Sequence, residues 1–133
     1  MITGLAHVCF TVRDLDVSRD FYCNKLGLRP AFDFVNDKGV RHGMYVHAGG
    51  RNFIELFQGT LSPRAEGQAY RHLCLEVDDL DATAGELRRH GVEVSNVKVG
   101  SDHSRQGWIA DPDGNRIELH EYTPKSKQTP WVT

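Results

Sequence analysis

Two ten-residue stretches of this chain are near copies of each other. Residues 7–16 read HVCFTVRDLD, and residues 72–81, which lie 65 positions later, read HLCLEVDDLD. Six of the ten paired positions are identical, including the opening His, the Cys and the closing Asp-Leu-Asp. A repeat of this kind constrains the fold strongly, because each copy is expected to form the same structural unit.

A second, shorter repeat follows each copy. Residues 53–56 read FIEL and residues 116–119 read RIEL. His7 precedes Glu55 by 48 residues, and His72 precedes Glu118 by 46. The chain therefore carries one module twice, and each copy places a His on its first predicted strand and a Glu on its last.

The first module is predicted to contain a strand, a helix and three further strands. Polar and apolar residues alternate over 5–12, as in a half-buried strand. Asp16 is a suitable N-cap for a helix that ends near Leu26, and Gly27 suits its end. An apolar helix stripe of Val17, Phe21, Tyr22 and Leu26 is expected to cover the first strand. Turn residues then separate strands predicted at 29–35, 41–48 and 52–57.

The second module repeats this plan after a polar linker at residues 59–68. The pattern predicts a strand over 71–77, a helix over 82–90 closed by Gly91, and strands near 92–99, 107–110 and 116–122. Module 1 thus spans about residues 3–58 and module 2 about 69–122. We expect both to form a single domain over residues 1–133, with residues 123–133 as an extended C-terminal arm.

Composition excludes several classes of function. The net charge is −2 with no basic block, so a nucleic-acid-binding surface is not expected. No apolar run reaches the roughly 20 residues of a membrane-spanning helix, and no signal-peptide pattern opens the chain. Three cysteines form no disulfide framework. These features predict a cytoplasmic protein.

The strand alternation places the repeated His and Glu on one face of the predicted sheets. His7 and His72 point away from the helix side of their strands, and so do Glu55 and Glu118. Two imidazoles and two carboxylates suit Zn, Ni, Co, Mn or Fe better than calcium. A duplication can equally copy a His and a Glu that only form hydrogen bonds, but two of each in register favour a metal site.

The sequence gives weaker support for a functional role of the remaining candidate residues. Cys9 and Cys74 share the predicted metal face, and their small apolar character favours packing over nucleophilic chemistry. Five further histidines lack a repeat counterpart and are predicted at the surface or in a pocket wall: His42, His47, His90, His103 and His120. Arg13, Lys98 and Arg105 could contact an anionic substrate, although a solvated position is the default.

The motifs of the chain resemble those of the vicinal oxygen chelate superfamily, which includes glyoxalase I, fosfomycin-resistance and bleomycin-resistance proteins, methylmalonyl-CoA epimerase and extradiol dioxygenases. The resemblance covers residues 5–122. Its most specific pieces are the His7 strand followed by DLD at 14–16, FY at 21–22, LGL at 26–28, and DPDGNRIE at 111–118. It implies an α+β fold of two βαβββ modules that form a cup-shaped mixed sheet.

The resemblance also implies a metal and its ligands. Short bacterial glyoxalase I has its ligands at the positions of His7, Glu55, His72 and Glu118, and all four are present here. Glu55 and Glu118 would then also be the catalytic residues, and no organic cofactor is expected. Fosfomycin-resistance proteins and dioxygenases use the positions of His7, His72 and Glu118 only. The short glyoxalase type implies Ni²⁺ or Co²⁺, with Zn²⁺, Mn²⁺ or Fe²⁺ as alternatives.

The resemblance therefore implies a metal-dependent lyase or isomerase that moves a proton in a small substrate with vicinal oxygens, through a metal-bound enediolate. The alternatives are a fosfomycin-type thiol transferase, an epimerase-like or dioxygenase-like member, and a metal-free small-molecule binding protein. A homodimer whose sites are shared between chains is the assembly that the resemblance implies. The arginine and loop pattern expected of a glutathione site is not found at residues 59–68 or 99–107.

Overall fold

The computed structural model describes residues 1–132. The chain divides into two compact units, residues 1–66 and a second unit that starts at Gly67. Each has the order strand, helix, three strands, so the predicted α+β class and the two βαβββ modules are confirmed. That the two units form a single domain stays a prediction.

The first unit builds a four-stranded mixed sheet in the order β1-β4-β3-β2. Strands β1 and β4 run parallel, and the other neighbours are antiparallel. Its elements are β1 (His7–Val12), α1 (Leu15–Arg19) continued by a π-helical turn (Asp20–Lys25), β2 (Arg29–Val35), β3 (Arg41–His47) and β4 (Phe53–Gln58).

The second unit repeats this topology in the order β5-β8-β7-β6, with β5 and β8 parallel. Three of its strands are shorter than predicted, β7 begins two residues earlier than predicted, and only two residues of the predicted 92–99 strand pair in the sheet. The elements are β5 (Leu73–Glu76), α2 (Leu80–Arg89), β6 (Lys98–Val99), β7 (Arg105–Ala110), β8 (Arg116–Glu121) and α3 (Thr129–Val132).

The repeated Asp-Leu-Asp motif has the same structural role in both units, where it forms the start of the helix. Its first Asp caps the helix: Asp14 accepts hydrogen bonds from the Asp16 and Val17 backbone, and Asp79 accepts one from Ala82. The Leu is buried, with Leu15 1% and Leu80 0% exposed. The predicted cap at Asp16 is therefore wrong by two residues, because Asp14 already satisfies the first free N–H groups.

The last Asp of the motif ties the helix to the sheet. Asp16 pairs with Arg41 at the start of β3, and Asp81 pairs with Arg105 at the equivalent start of β7. Arg105 also binds Glu121 at 2.9 Å. It is therefore engaged in holding its own unit together, which argues against a role in binding an anionic substrate.

Helix α1 begins earlier than predicted, and its buried face shifts accordingly. The buried residues are Leu15, Ser18, Phe21 and Tyr22, whereas Val17 is 50% exposed. Phe21 and Tyr22 were predicted correctly, and Val17 was not. In strand β1 the expected alternation is present, since Val12 is fully buried while His7, Cys9 and Thr11 are exposed.

The DPDGN turn at 111–115 positions strand β8. Asp111 is buried, and its Oδ1 accepts hydrogen bonds from the backbone N–H groups of Asp113 (3.0 Å) and Asn115 (2.8 Å). The Asn115 side chain donates to the other oxygen of Asp111 at 2.9 Å. This closed turn sets the start of β8 and hence the placement of Glu118 three residues after it.

The C-terminal segment is not the extended arm predicted for residues 123–133. Within residues 123–132 it forms turns and the short helix α3, and Ser126 is buried. Ser126 accepts a hydrogen bond from Ser104 at 2.8 Å, and Gln128 donates to Asp102 at 2.6 Å. These polar contacts fold the segment back onto the second unit. Thr133 lies outside the described residues.

Candidate metal centre

The first unit brings His7 and Glu55 together. Strands β1 and β4 are parallel neighbours, and Cys9 is the register partner of Glu55, with His7 two residues earlier on the same face. The His7 Nε2 atom lies 3.1 Å from Glu55 Oε2. The side chain of His7 is 42% exposed and that of Glu55 is 14% exposed. Both can therefore reach a bound ion while remaining attached to the sheet.

Tyr45 on β3 holds this pair in place. Its hydroxyl donates to Glu55 Oε2 at 2.6 Å and lies 3.3 Å from His7 Nδ1. The hydrogen bond to Glu55, with desolvation second, raises the pKa of Tyr45 to about 12. The phenol consequently keeps its proton and remains a donor to the carboxylate. Sequence reasoning missed Tyr45, although its place on the strand next to Glu55 could have indicated it.

Several aromatic rings lie on the same face of the first sheet as Glu55. Phe32 stacks on Tyr45 with ring centroids 4.7 Å apart, and Phe34 stacks on Phe57 at 5.2 Å. Gly43 lies beside Phe57, and a Cβ there would come within 2.6 Å of that ring. The glycine thus gives the Phe57 ring the space that it occupies. The result is a cluster of aromatic rings on the face of the sheet that carries Glu55.

The second unit brings His72 and Glu118 together in the same way. The His72 Nε2 atom lies 3.1 Å from Glu118 Oε2, the same separation as in the first unit. His72 comes just before β5, and its ring contacts Trp108 edge-on with centroids 4.8 Å apart. The side chain of Glu118 is only 12% exposed.

The two carboxylates are held by different neighbours. Trp108 occupies the position that Tyr45 has in the first unit, and it offers no hydroxyl to Glu118. His120, which corresponds to Phe57, supplies the hydrogen bond instead, with its Nδ1 3.0 Å from Glu118 Oε1. Glu118 therefore has one oxygen toward each histidine. His120 was expected at the surface or in a pocket wall, and it is buried.

Cys74 lies beside Glu118 on this face. It is the register partner of Glu118, and donor atoms of Cys74, Glu118 and His120 lie within 4.8 Å of one another. Although part of the residue is exposed, desolvation of the thiol, with the negative charge of Glu118 next, raises the pKa of Cys74 to about 12. Cys9 is also exposed, so the packing role predicted for both cysteines is wrong.

The geometry of both His–Glu pairs fits a metal ion. Two donors bound to one metal at about 2.1 Å each lie about 3.0 Å apart when adjacent in an octahedron and about 3.4 Å apart in a tetrahedron. The observed N–O separations of 3.1 Å fall in that range in both units. Glu55 and Glu118 each have a hydrogen-bond donor that orients the carboxylate, as metal-binding carboxylates commonly do.

Comparison with known proteins identifies the class. The profile of the Glyoxalase/Bleomycin resistance protein/Dioxygenase superfamily matches residues 4–119, a span that contains all four candidate ligands. The chain belongs to this superfamily. Members typically bind a divalent metal and act on small molecules, and they include enzymes such as glyoxalase I.

Individual relatives are similar over nearly the whole chain. Protein YaeR of Escherichia coli (strain K12) is 33% identical over 127 residues, which are 86% of this chain and 93% of YaeR. Metallothiol transferase FosB of Staphylococcus epidermidis (strain ATCC 12228) is 28% identical over 95% of this chain and 87% of its own. Lactoylglutathione lyase of Salmonella typhimurium (strain LT2) is 30% identical, with 88% and 91% covered.

Solved structures share the fold. SMU.1112c has a TM-score of 0.79 at 27% identity and covers 91% of this chain and 100% of its own. TnmS3, an antibiotic binding protein from Streptomyces sp. CB03234, has a TM-score of 0.74 at 28% identity, with 92% of this chain and 98% of its own covered.

Among residues 1–132, no helix is both long enough and apolar enough to cross a membrane.

Proposed function

We propose that the protein is a metal-dependent lyase or isomerase of glyoxalase I type, which acts on a small substrate with two neighbouring oxygen atoms. The observation that carries this proposal is the repeated His–Glu pair. His7 with Glu55 and His72 with Glu118 have the same Nε2–Oε2 separation of 3.1 Å in two copies of one module. Lactoylglutathione lyases among the relatives support the same activity class.

In this proposal one divalent metal takes the four side chains His7, Glu55, His72 and Glu118 as ligands. The two nitrogen and two oxygen donors suit Ni²⁺ or Co²⁺, which we favour, as well as Zn²⁺, Mn²⁺ or Fe²⁺. When bound, the metal supplies Lewis acidity toward oxygen atoms of the substrate. We further propose a homodimer in which residues of both chains complete each site.

The protein side chains perform the proton transfer. Either Glu55 or Glu118 accepts a proton from one carbon of the substrate and returns it to the neighbouring carbon. Tyr45 and His120 keep these carboxylates oriented through their hydrogen bonds. The rings of Phe32, Phe34 and Phe57 offer apolar surface for the substrate on the same face of the first sheet as Glu55.

Metal analysis tests the ligand set directly. Purified wild-type protein is expected to bind about one divalent metal per chain, and His72→Ala is expected to lose tight binding while its circular dichroism spectrum stays unchanged. His90→Ala is the matched control, because His90 lies exposed at the end of α2 and pairs with Glu86. Equal metal content in wild type and His72→Ala would contradict the proposal.

A second function, metallothiol transfer, is favoured by the relationship to FosB over 95% of the chain. The residue that separates the two functions is Glu55, since the thiol-transferase pattern does not use its position. In a lyase or isomerase, Glu55→Gln should reduce kcat by about 10²–10⁴-fold on a hemithioacetal substrate. In a thiol transferase, the same variant should retain thiol addition to fosfomycin. A wild-type protein that binds small molecules but no metal would contradict both.

A further inference from the structure

We propose that Arg116 binds an anionic group of the substrate, a carboxylate or a phosphonate, in addition to the vicinal oxygens. This inference rests on the proposed function, because it assigns a further feature to the substrate of that same site. Arg116 lies on β8 two residues before Glu118, so both side chains are on the same face of the strand. Arg116 is exposed. The second unit therefore presents a cation on the face that carries its His–Glu pair.

Trp108 holds the guanidinium group of Arg116 in place. The Cζ atom of Arg116 lies over the Trp108 ring, 4.3 Å from its centre. The same indole contacts the His72 ring edge-on, with centroids 4.8 Å apart. Because both contacts are short, the guanidinium lies within about 10 Å of the His72 ring. A side chain that is already stacked loses less conformational freedom when it binds a ligand, so Arg116 is preorganised for binding.

The N–H groups of this guanidinium remain available. Among residues 1–132, the Arg116 side chain forms neither an ion pair nor a hydrogen bond. Arg105 on the opposite face of the same sheet, by contrast, pairs with Asp81 and Glu121. An arginine stacked on an aromatic ring keeps its planar fork of donors, which binds two oxygens of a carboxylate or phosphonate at once. Arg116 thus has the geometry of an anion-binding residue.

The first unit shows that packing alone does not require a cation at this position. Phe53 is the repeat counterpart of Arg116 in the sequences FIEL and RIEL, two residues before Glu55. The Phe53 ring contacts Tyr45 with centroids 5.6 Å apart, just as Arg116 contacts Trp108 on the equivalent strand. An apolar ring therefore makes the same cross-strand contact. The positive charge is what distinguishes the second unit.

Binding of three hydroxamates to the Ni²⁺-loaded protein, measured by isothermal titration calorimetry, tests the proposal. Each has two adjacent oxygens in its head group: succinic acid monohydroxamate, its methyl ester, and 3-phosphonopropionohydroxamic acid. At least one charged probe should bind the wild type about tenfold more tightly than the ester. Arg116→Gln should reduce this preference to about twofold or less, and Arg116→Lys should keep part of it, because lysine keeps the charge but not the fork.

Lys98→Gln is the matched control. Lys98 is an exposed cation on β6, and its register partner Gln106 is on the same face of β7 as Trp108. The preference for the charged probes should persist in Lys98→Gln, since the contact and not the general charge of the sheet provides it. The probe with the larger gain identifies whether a carboxylate or a phosphonate fits Arg116 better. Circular dichroism and thermal melting verify that each variant is folded.

The ester distinguishes a failure of this inference from a failure of the proposed function. If the ester binds and the charged probes bind no more tightly, the role of Arg116 is overturned while the metal site stands. If the charged probes bind through Arg116 and the ester does not bind, the anion site stands and the proposed metal site is contradicted. A preference that survives Arg116→Gln, or is lost equally in Lys98→Gln, would overturn the inference. A wild type that binds none of the probes would overturn both.

Discussion

At the scale of single residues, Tyr45 and His120 show how one duplicated module has diverged around a shared carboxylate. Glu55 receives its hydrogen bond from a phenol on the neighbouring strand, and Glu118 receives its own from an imidazole on the same strand. Both donors leave the oxygen nearest the repeated His within 3.1 Å of its Nε2. The His–Glu geometry is thus kept while its support differs.

Removing the Tyr45 hydroxyl should weaken metal binding without disturbing the sheet. Tyr45→Phe keeps the ring that stacks on Phe32 but leaves Glu55 Oε2 without its phenolic donor. We expect metal affinity to fall by about 10–100-fold, measured by competition with a chelator. Tyr70→Phe is the control, because it removes a phenol hydroxyl that donates to the Arg116 carbonyl oxygen at 3.1 Å. Equal losses in both variants would refute a role for the hydroxyl.

The thiol of Cys74 should react slowly with alkylating agents near neutral pH, because its pKa is raised. Desolvation and nearby carboxylates raise the pKa of Cys74 to about 12, so at pH 8 this thiol is almost entirely protonated. Because the thiolate is the nucleophile, alkylation of Cys74 should be slow at pH 8 and should accelerate as the pH rises toward 12. Peptide mass spectrometry of metal-free protein treated with iodoacetamide measures this. In Glu118→Gln, the rate at pH 8 should increase, since one negative neighbour is removed.

At the scale of elements, the repeated Asp-Leu-Asp motif makes a prediction about stability. Asp79 caps α2 through a hydrogen bond of 2.9 Å to the Ala82 N–H group. Asp79→Ala should lower the free energy of unfolding by about 0.5–2 kcal/mol. Asp78→Ala, one residue earlier and also exposed, should change it by less than about 0.5 kcal/mol. Urea denaturation followed by circular dichroism compares the two, and a larger loss in Asp78→Ala would reject the capping role.

The elements also show which parts of the fold could be predicted from the sequence. Strand alternation correctly placed His7 with Glu55 and His72 with Glu118, because period-two patterning fixes the face of each side chain. The start of α1 was misplaced, since Asp14 and Asp16 are both good caps and only the backbone geometry decides between them. The role of the His7–Glu55 and His72–Glu118 pairs as metal ligands stays a proposal.

The C-terminal segment was mispredicted for a physical reason. Its prolines and lack of apolar periodicity indicated an extended arm, but polar contacts hold it in place. The buried Ser104–Ser126 hydrogen bond and the Gln128–Asp102 contact join residues more than 20 positions apart, which no local pattern reveals. His120 was missed for a similar reason, because its burial depends on neighbours from other elements.

At the scale of the whole molecule, the proposed shared site makes a prediction about assembly. If the site takes His7 and Glu55 from one chain and His72 and Glu118 from a partner, a C2 dimer holds two equivalent sites. His7→Ala and His72→Ala should each be inactive as homodimers, since every site then lacks one ligand. In a mixed dimer, one site collects both substitutions and the other collects neither.

Mixing the two inactive variants should therefore restore activity. Random exchange of subunits gives about half mixed dimers, each with one intact site, so activity should recover to about one quarter of the wild-type value per chain. Two differently tagged wild-type preparations, isolated as a doubly tagged species, verify that subunits exchange under the same conditions. Sites built within single chains would keep one substitution each after mixing. A mixture that exchanges subunits but stays inactive would therefore exclude the shared site and favour ligands supplied by one chain.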